Sequence, residues 1–287
     1  MVLQHLPNRR SLSILVGLAA GMVAAGCFAQ STSAAMIASD NAGNYSSAIS
    51  TGSTGGTGFG AWVETTGGSG GFAGNFNDAS SQNIATSTKS WGVYANGGSG
   101  ERVDLTRPFL TSGGGSGGTL RAGQSFSVAM QSGGGIGSTG VLGFSLQSSS
   151  PINQFTFEYD GSQSYNNFSI IDGSHGGAEY QAPVAVTFAD LNSGLIVNFS
   201  LLTATTYDLS VSPAPGNSNF TGPLAVVTNG TLPSGAINQA DLFYTNTASY
   251  NGYFNSLSIS SVPEPASLGL MAIGGLALLL VGRRKTA

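Results

Sequence analysis

The 287-residue chain is 40% hydrophobic and only 8% charged, and it contains 44 glycines and one cysteine. This balance of apolar and charged residues excludes intrinsic disorder, and a formal net charge of −4 argues against nucleic acid as a partner, because phosphate binding needs clustered cations. The glycines, aromatic residues and β-branched residues favour short strands joined by turns over helices.

The N-terminus predicts a signal peptide over residues 1–35. Arg9 and Arg10 precede an apolar segment that ends in small residues, which is the order of charge, apolar core and cleavage site in a secretory signal. Cleavage is expected after Ala29 or Ala35. The general secretory route accounts for the arginines, although the pair also resembles a twin-arginine signal. The signal helix is therefore expected to be removed, and the mature chain to leave the cytoplasm.

The only cysteine is Cys27, inside the predicted signal. Ala25-Gly26-Cys27 resembles a bacterial lipobox, but we interpret the cysteine as a small residue of the signal. The mature domain then has no disulfide, no thiol nucleophile and no thiolate metal site. Residues 36–262 hold four Lys and Arg residues against twelve acids, a net charge of −8, so an anionic membrane surface is disfavoured as a partner.

The mature sequence begins with a Ser, Thr and Gly rich segment, residues 36–58, which predicts a flexible lead-in. Over residues 59–262, apolar runs alternate with turn signals about every ten to twelve residues. This pattern predicts an all-β fold, an antiparallel β-sandwich of the jelly-roll type. The predicted strands cover residues 59–64, 90–95, 101–109, 119–130, 140–147, 152–159, 165–171, 183–189, 194–202, 205–211, 236–245 and 252–260.

The clearest of these strands covers residues 152–159. Phe155, Phe157 and Tyr159 alternate with polar residues and so share one face. An Asp-Gly turn dipeptide follows the strand. The pattern predicts a half-buried strand with its aromatic side chains in the core. Its opposite face carries Gln154, Thr156 and Glu158.

Two carboxylates at the end of this strand are the sharpest enzymatic candidates. Glu158 and Asp160 share a face, as a pair of carboxylates in a retaining glycan hydrolase would. They resemble the motif of laminarinase-type jelly-roll endoglucanases, but that motif continues with a further Glu where Gly161 and Ser162 stand here. We therefore interpret Asp160 as a turn residue and Glu158 as a solvated side chain, and we predict no catalytic residues.

The sequence predicts neither a metal site nor an organic cofactor. His175 is the only histidine outside the signal, and we interpret it as an exposed loop residue, so a zinc site of the usual kind is excluded. A structural calcium ion is the alternative, because carboxylates and loop carbonyls supply oxygen ligands. The candidate calcium ligands are Asp172, Asp190, Asn192 and Asp241.

Aromatic side chains can stack on sugar rings while Asn and Gln side chains bind the hydroxyls. Trp62 and Trp91 are flanked by apolar strand residues, which favours a place in the core. Tyr165 and Tyr180 lie in polar loops. We therefore name these two tyrosines as candidate carbohydrate-binding residues.

Three segments of the domain carry a resemblance to known folds. They are Trp-Gly-Val-Tyr at 91–94, Arg-Pro-Phe at 107–109 and Tyr-Phe-Asn-Ser-Leu at 253–257. Together they resemble uncharacterised bacterial export domains of the concanavalin-like or laminin-G-like jelly-roll type. This resemblance implies a fold and no activity.

The last segment, residues 263–287, has three parts. A Pro-Glu-Pro element precedes an uncharged apolar run over residues 266–281, which predicts a transmembrane helix, and a basic cluster follows it on the cytoplasmic side. The element and the cluster are Pro263, Glu264, Pro265, Arg283, Arg284 and Lys285. This order resembles the PEP-CTERM sorting signal of Gram-negative bacteria, which implies recognition by a membrane-embedded exosortase. An ordinary C-terminal membrane anchor is the alternative.

These features predict an exported protein of the cell surface or extracellular matrix, held transiently in the inner membrane, with a structural or adhesive role and without catalysis. The resemblance to exosortase substrates implies an association with exopolysaccharide and biofilm. A carbohydrate-binding, lectin-like module is the second hypothesis, and a glycan hydrolase is the third. A binding module would need an exposed aromatic surface, and a hydrolase would need two facing carboxylates.

Overall fold

The computed structural model describes residues 34–261, except for 80–81, 98, 111–117, 164–167, 184–185 and 246–249. Ala35–Val262 is one compact unit. It is an antiparallel β-sandwich of two sheets with very little helix. In this described part of the chain, no helix is long and apolar enough to cross a membrane. The predicted signal helix, the sorting element, the C-terminal helix and the basic cluster lie outside it.

Fifteen strands and two short helical segments make up the described part of the unit. The helical segments are a 3-10 turn at Ala42–Asn44 and α1 at Phe188–Ser193. The strands are β1 (Met36–Asp40), β2 (Val63–Ser69), β3 (Phe72–Asp78), β4 (Ser90–Asn96), β5 (Ser99–Pro108), β6 (Gln124–Ser132), β7 (Val141–Gln147), β8 (Asn153–Asp160), β9 (Phe168–Ile171), β10 (Glu179–Gln181), β11 (Leu195–Leu201), β12 (Thr206–Pro213), β13 (Leu224–Thr231), β14 (Gln239–Thr245) and β15 (Asn251–Ser261).

The strands pair into one sheet of eight and one of seven. The eight-stranded sheet has the order β13-β12-β11-β6-β15-β4-β3, with β1 added to β15, and the seven-stranded sheet has the order β10-β9-β8-β7-β14-β5-β2. Neighbours in sequence are often not neighbours in the sheets, since β15 lies between β6 and β4 and β14 lies between β7 and β5. Each sheet is therefore complete only when strands from both halves of the sequence have paired.

Period-two alternation of side chains places the core between the sheets. In β8, Phe155 and Phe157 are fully buried, as the sequence predicts, and β11 buries alternate residues in the same way. The rings of Phe155 and Phe199 lie 4.9 Å apart across the two sheets. Each large apolar side chain buried in this manner contributes about 1.5–3 kcal/mol to folding.

The predicted strands over 90–95, 140–147, 152–159 and 194–202 agree with β4, β7, β8 and β11 to within one residue at each end. The predicted strand over 183–189 is wrong in its described part, because helix α1 begins at Phe188. The carboxylate of Asp190 accepts hydrogen bonds from the backbone N–H and the hydroxyl of Thr187. Such a capping arrangement favours the start of a helix over a strand.

Four strands were not predicted from the sequence: β1, β3, β10 and β13. All but β1 lie at the ends of the sheets. β3 contains Gly, Asn and Asp, which are depleted in strands. β13 pairs with β12 through two register shifts, so its buried residues do not follow strict alternation. Edge strands bury fewer side chains, and the alternation signal is correspondingly weak.

The prediction of a flexible lead-in over residues 36–58 is wrong. β1 pairs with β15, and Ala38, Tyr45 and Ile49 are buried in the core. The structural reason is the carboxylate of Asp40, which is buried and lies 3.0 Å from the guanidinium of Arg107. This ion pair holds β1 against the interior. The segment around Asp40 has low hydrophobicity, so no sequence pattern indicates that it is buried. The domain therefore begins at Ala35 and not at residue 59.

Candidate functional site

The outward side chains of the seven-stranded sheet form a cluster of polar groups, here called the outer polar face. They alternate along their strands with core residues and so point away from the other sheet. The cluster lies on four adjacent strands, β8, β7, β14 and β5. Its members are Arg102, Asp104, Ser145, Gln147, Thr156, Glu158 and Asp241, together with the ring of Phe243.

Strand register arranges these side chains in two rows. One row crosses β8, β7, β14 and β5, and its residues are, in that order, Glu158, Gly143, Phe243 and Asp104. Gly143 is required there, because a Cβ atom at this position would lie 2.5 Å from the Cβ of Glu158. The next row places Thr156, Ser145, Asp241 and Thr106 side by side.

Arg102 is the cation of the outer polar face. Its Nε atom donates to both carboxylate oxygens of Asp104, at 2.7 and 2.9 Å, and its terminal nitrogen lies 3.9 Å from a carboxylate oxygen of Asp241. The guanidinium carbon stands 4.6 Å above the centre of the Phe243 ring, which is a cation–π contact. Arg102 thus covers the one aromatic ring of this cluster while it pairs with the acids of two strands.

Two carboxyl groups of the outer polar face have strongly raised pKa values. The pKa of Glu158 is raised to about 7, chiefly by burial and then by the charges of Glu179 and Asp160, against the opposing effect of Arg102. The pKa of Asp241 is likewise raised to about 7, chiefly by burial and then by the neighbouring charge of Asp104, against the opposing effect of Arg102. Near neutral pH both groups are therefore divided between the acid and the carboxylate.

Hydrogen bonds among neutral side chains complete the cluster. The hydroxyls of Ser145 and Thr156 lie 2.8 Å apart, and the amide of Gln147 donates to Asp241 at 3.3 Å. The amide of Gln239 donates to Gln147 at 2.8 Å. Ser145, Thr156 and Gln147 are buried within the cluster. Their amides and hydroxyls add donors and acceptors beside the carboxyl groups, which is the kind of chemistry that binds a polyhydroxylated ligand.

The interpretation of Glu158 as a solvated side chain is wrong. It does point away from the core, but the surrounding strands leave it only partly exposed. Asp160 is the last residue of β8, and its carboxylate accepts from the N–H of Ser162 at 2.8 Å and from the amide of Gln163. The structure thus gives Asp160 the turn role predicted for it.

Of the two tyrosines named from the sequence, Tyr165 lies outside the described residues. Tyr180 lies on β10 opposite Ile170, a core residue, and is half-buried where the sequence predicted exposure. Its hydroxyl donates to a carboxylate oxygen of Asp172 at 3.0 Å, and its ring lies 3.8 Å from that of His175. Three residues of strand were too few to reveal this orientation in the sequence. The proposed contact of these tyrosines with sugars stays a prediction.

The four candidate calcium ligands are not brought together. Asp172 is buried and accepts hydrogen bonds from the hydroxyls of Tyr180 and Tyr207, whereas Asp190 caps α1 and Asp241 belongs to the outer polar face. The backbone oxygen of the fourth, Asn192, accepts from the amide of Gln131. The ranges that the structure describes contain no group of three or more His, Cys, Asp and Glu side chains able to hold a metal ion.

The two tryptophans occupy the core, as the sequence predicts. Trp62 and Trp91 are fully buried, with ring centres 5.2 Å apart in an edge-to-face arrangement. The indole N–H of Trp62 donates to the hydroxyl of Tyr45 at 2.8 Å. Neither ring is available as a surface for sugar stacking.

Sequence reasoning missed Arg102 and Asp104 as parts of a site. The signal was present, because both alternate with Val103 and Leu105, two core residues of β5. The sequence does not indicate which residues of other strands lie beside these two. β5 meets Asp241 of β14 across 135 residues of chain, and only the strand order brings the two together.

Comparison with known proteins identifies a motif at the C-terminus. Residues 261–285 match the PEP-CTERM protein-sorting motif. No curated protein matches the chain at the sequence level.

Several solved structures have a similar β-sandwich. The globular domain of T. cruzi calreticulin is 11% identical with a TM-score of 0.46, over 77% of this chain and 95% of that one. A glycosyl hydrolase family protein from Mycobacterium fortuitum is 10% identical with a TM-score of 0.44, over 78% and 99%. The lectin from Bauhinia forficata, in complex with GalNAc, is 13% identical with a TM-score of 0.40, over 78% and 98%. Likeness at this level indicates no activity or ligand for this chain.

The resemblance of the C-terminus to exosortase substrates is thus confirmed by the motif match. A PEP-CTERM motif implies processing by an exosortase and export through the membrane. The β-sandwich Ala35–Val262 ends where this motif begins. The chain is accordingly an exported β-sandwich protein that carries a PEP-CTERM sorting motif.

Proposed function

We propose that this chain is a non-catalytic protein of the cell surface or extracellular matrix, and that its outer polar face binds an extracellular polysaccharide. The PEP-CTERM motif supports the destination, since it implies export. The observation that carries the binding role is the outer polar face itself. Amide, hydroxyl and carboxyl groups from four adjacent strands surround one aromatic ring there.

The chemistry of this face suits a sugar polymer. Carboxylates accept hydrogen bonds and amides both donate and accept them, as sugar hydroxyls require, and the buried ring of Phe243 becomes an apolar surface for the C–H face of a sugar once Arg102 moves aside. Several side chains of the face are already held by hydrogen bonds to each other, so little conformational entropy is lost on binding. The role of the domain in a matrix would follow from many weak contacts along one polymer.

A glycan array with the domain Ala35–Val262 tests the binding role. We expect saturable binding to at least one polysaccharide, and about ten-fold weaker binding for Glu158→Ala, because a buried hydrogen bond to a charged group contributes about 1.5–3 kcal/mol. The matched control is Asn198→Ala, on the outward side of β11 in the other sheet. Absence of saturable binding across the array, or equal loss in both variants, would contradict the proposal.

Glycan hydrolysis is the second candidate, favoured by the raised pKa values of Glu158 and Asp241. Standard sheet spacing places their Cα atoms about 12 Å apart, two strands and two residues from each other. Release of reducing ends from a bound polysaccharide, abolished in Glu158→Gln while binding persists, would favour this candidate over the non-catalytic one.

A further inference from the structure

A cleft of about 480 Å³ opens beside the outer polar face, where β8 begins. A volume of this size lies within the range of sites for small molecules. The lining comes from the turn between β7 and β8, from the end of β9 and from the loop before β14. Apolar side chains and two side-chain amides share it: Ile152, Ile171, Pro233, Asn153 and Gln154.

A hydrogen bond connects the cleft to the outer polar face. The amide of Gln147, a member of that face, donates to Oδ1 of Asn153 at 3.0 Å and to Asp241 at 3.3 Å. Asn153 is the first residue of β8 and lines the cleft. The cleft is therefore continuous with the outer polar face, and a polymer bound on that face can place one of its units in the cleft.

Gln154 carries an unused hydrogen-bond acceptor. It is only 4% exposed, and its Oε1 atom has no hydrogen-bond partner among the residues that the structure describes. That oxygen lies against Gly235, where a Cβ atom would stand 2.5 Å from it. The Nε2 atom donates to the carbonyl of Ile152 at 3.3 Å, which is a long and weak bond. Rotation of the amide can therefore turn Oε1 toward the cleft, and a donor on a ligand would recover the free energy that an unpaired buried acceptor costs.

The other polar groups of the lining favour an uncharged ligand. Oδ1 of Asn153 already accepts from Gln147, which leaves the Nδ2 atom of Asn153 as a donor. Asp172 is the one charged residue of the lining, and its carboxylate already accepts from Ser174 and from two tyrosine hydroxyls. The cleft thus offers one donor and one acceptor between apolar walls, and its acid is occupied.

We propose that this cleft binds the acetamido group of an N-acetylated amino sugar within the polysaccharide. The N–H of the acetamido group donates to Oε1 of Gln154, and its carbonyl accepts from Nδ2 of Asn153. Its methyl group packs against the apolar walls formed by Ile152 and Ile171. A sugar hydroxyl in the same place has neither the carbonyl nor the methyl group, so it makes fewer of these contacts. This inference rests on the proposed binding of polysaccharide by the outer polar face.

Matched pairs of glycans on the array test the proposal with the domain Ala35–Val262. The two members of a pair differ at one position, where one has an acetamido group and the other a hydroxyl. Gln154→Met removes the acceptor and keeps the length of the side chain. The matched control is Gln131→Met on β6 of the other sheet, because Gln131 is also buried and its Oε1 likewise has no partner in the described chain. Urea unfolding checks that both variants keep the fold.

We expect the acetamido member of a pair to bind about ten-fold more tightly than the hydroxyl member, because a hydrogen bond to a buried acceptor is gained. Gln154→Met should remove most of that preference and change the binding of the hydroxyl member little. Gln131→Met should keep the preference.

A domain that binds polysaccharide without this preference would overturn the inference and leave the proposed function standing. The same conclusion would follow if Gln154→Met and Gln131→Met had equal preferences. Glu158→Ala should weaken both members of a pair alike, which separates the outer polar face from the cleft. A domain that binds no glycan would contradict the proposed function and this inference together.

Discussion

At the scale of single residues, two acids of the outer polar face are more buried than their sequence pattern predicts. Glu158 is placed on the solvent side by alternation, yet the neighbouring strands β7 and β9 withdraw it from water. Asp241 is in the same situation between β7 and β5. Ionisation of either carboxyl group therefore lowers the stability of the folded state, because the charged form is poorly solvated there.

The raised pKa of Glu158 predicts a stability that falls as pH rises. An acid with a folded pKa of about 7 and an ordinary value of 4.5 keeps its proton in the folded state where the unfolded chain loses it. Its contribution is complete below about pH 4.5 and is lost as pH approaches about 7. Glu158→Gln should thus increase the free energy of unfolding by about 2 kcal/mol at pH 8, after allowance for partial exposure, and change it little at pH 4.

Urea unfolding of the domain at the two pH values measures this difference. Asp208→Asn, the same chemical change on β12 of the other sheet, is the control. A gain in stability that is equal at pH 4 and pH 8 would show that Glu158 is not held in its neutral form by the fold.

At the scale of elements, β1 supplies one partner of a buried ion pair. Its Asp40 pairs with Arg107, a fully buried residue whose guanidinium also donates to the carbonyls of Ser53 and Gly55. The same guanidinium lies 4.9 Å from the ring centre of Trp62. Breaking a buried ion pair by removal of one partner costs about 3–5 kcal/mol, because the remaining charge stays unpaired.

Removal of β1 should therefore destabilise the whole domain. A chain beginning at Asn41 should lose at least about 4 kcal/mol of unfolding free energy relative to one beginning at Ala35. Adding Arg107→Met to the shorter chain should recover part of that loss, since no unpaired charge is then buried. Circular dichroism and urea titration measure both effects. A shortened chain that unfolds at the same urea concentration would contradict the role given to Asp40.

At the scale of the whole molecule, the described sandwich begins and ends at neighbouring residues. The chain leaves the described domain at Ser261, the residue at which the PEP-CTERM match begins. The same end of β15 is bonded to the start of β1.

Replacement of Pro263, Glu264 and Pro265 by alanine should leave the full-length protein in the inner membrane of an exosortase-containing host, because the element recognised for processing is lost. Cell fractionation with immunoblotting follows the change. The control is Ala287→Ser, outside the matched residues. Normal release of the triple-alanine variant would show that the tail is something other than a sorting signal that depends on the Pro-Glu-Pro element.

Much of the fold could be predicted because it depends on local patterns. Alternation in β8 and β11 places their large residues in the core, and apolar flanks do the same for Trp62 and Trp91. The pattern fails at β1, where Asp40 reads as solvent-exposed although Arg107 makes it an interior residue. It also fails at Tyr180, because a strand of three residues is too short to alternate visibly.

The sequence by itself determined the fold class and the sorting motif, because both are written in contiguous stretches: period-two alternation, turn residues, and a Pro-Glu-Pro element before an apolar run and a basic cluster. Only the tertiary structure decided which polar residues form a site. Arg102, Glu158 and Asp241 come from three strands that are far apart in the chain, and strand order alone makes them neighbours. Burial among those neighbours, which no local pattern records, is what shifts the pKa values of the two acids.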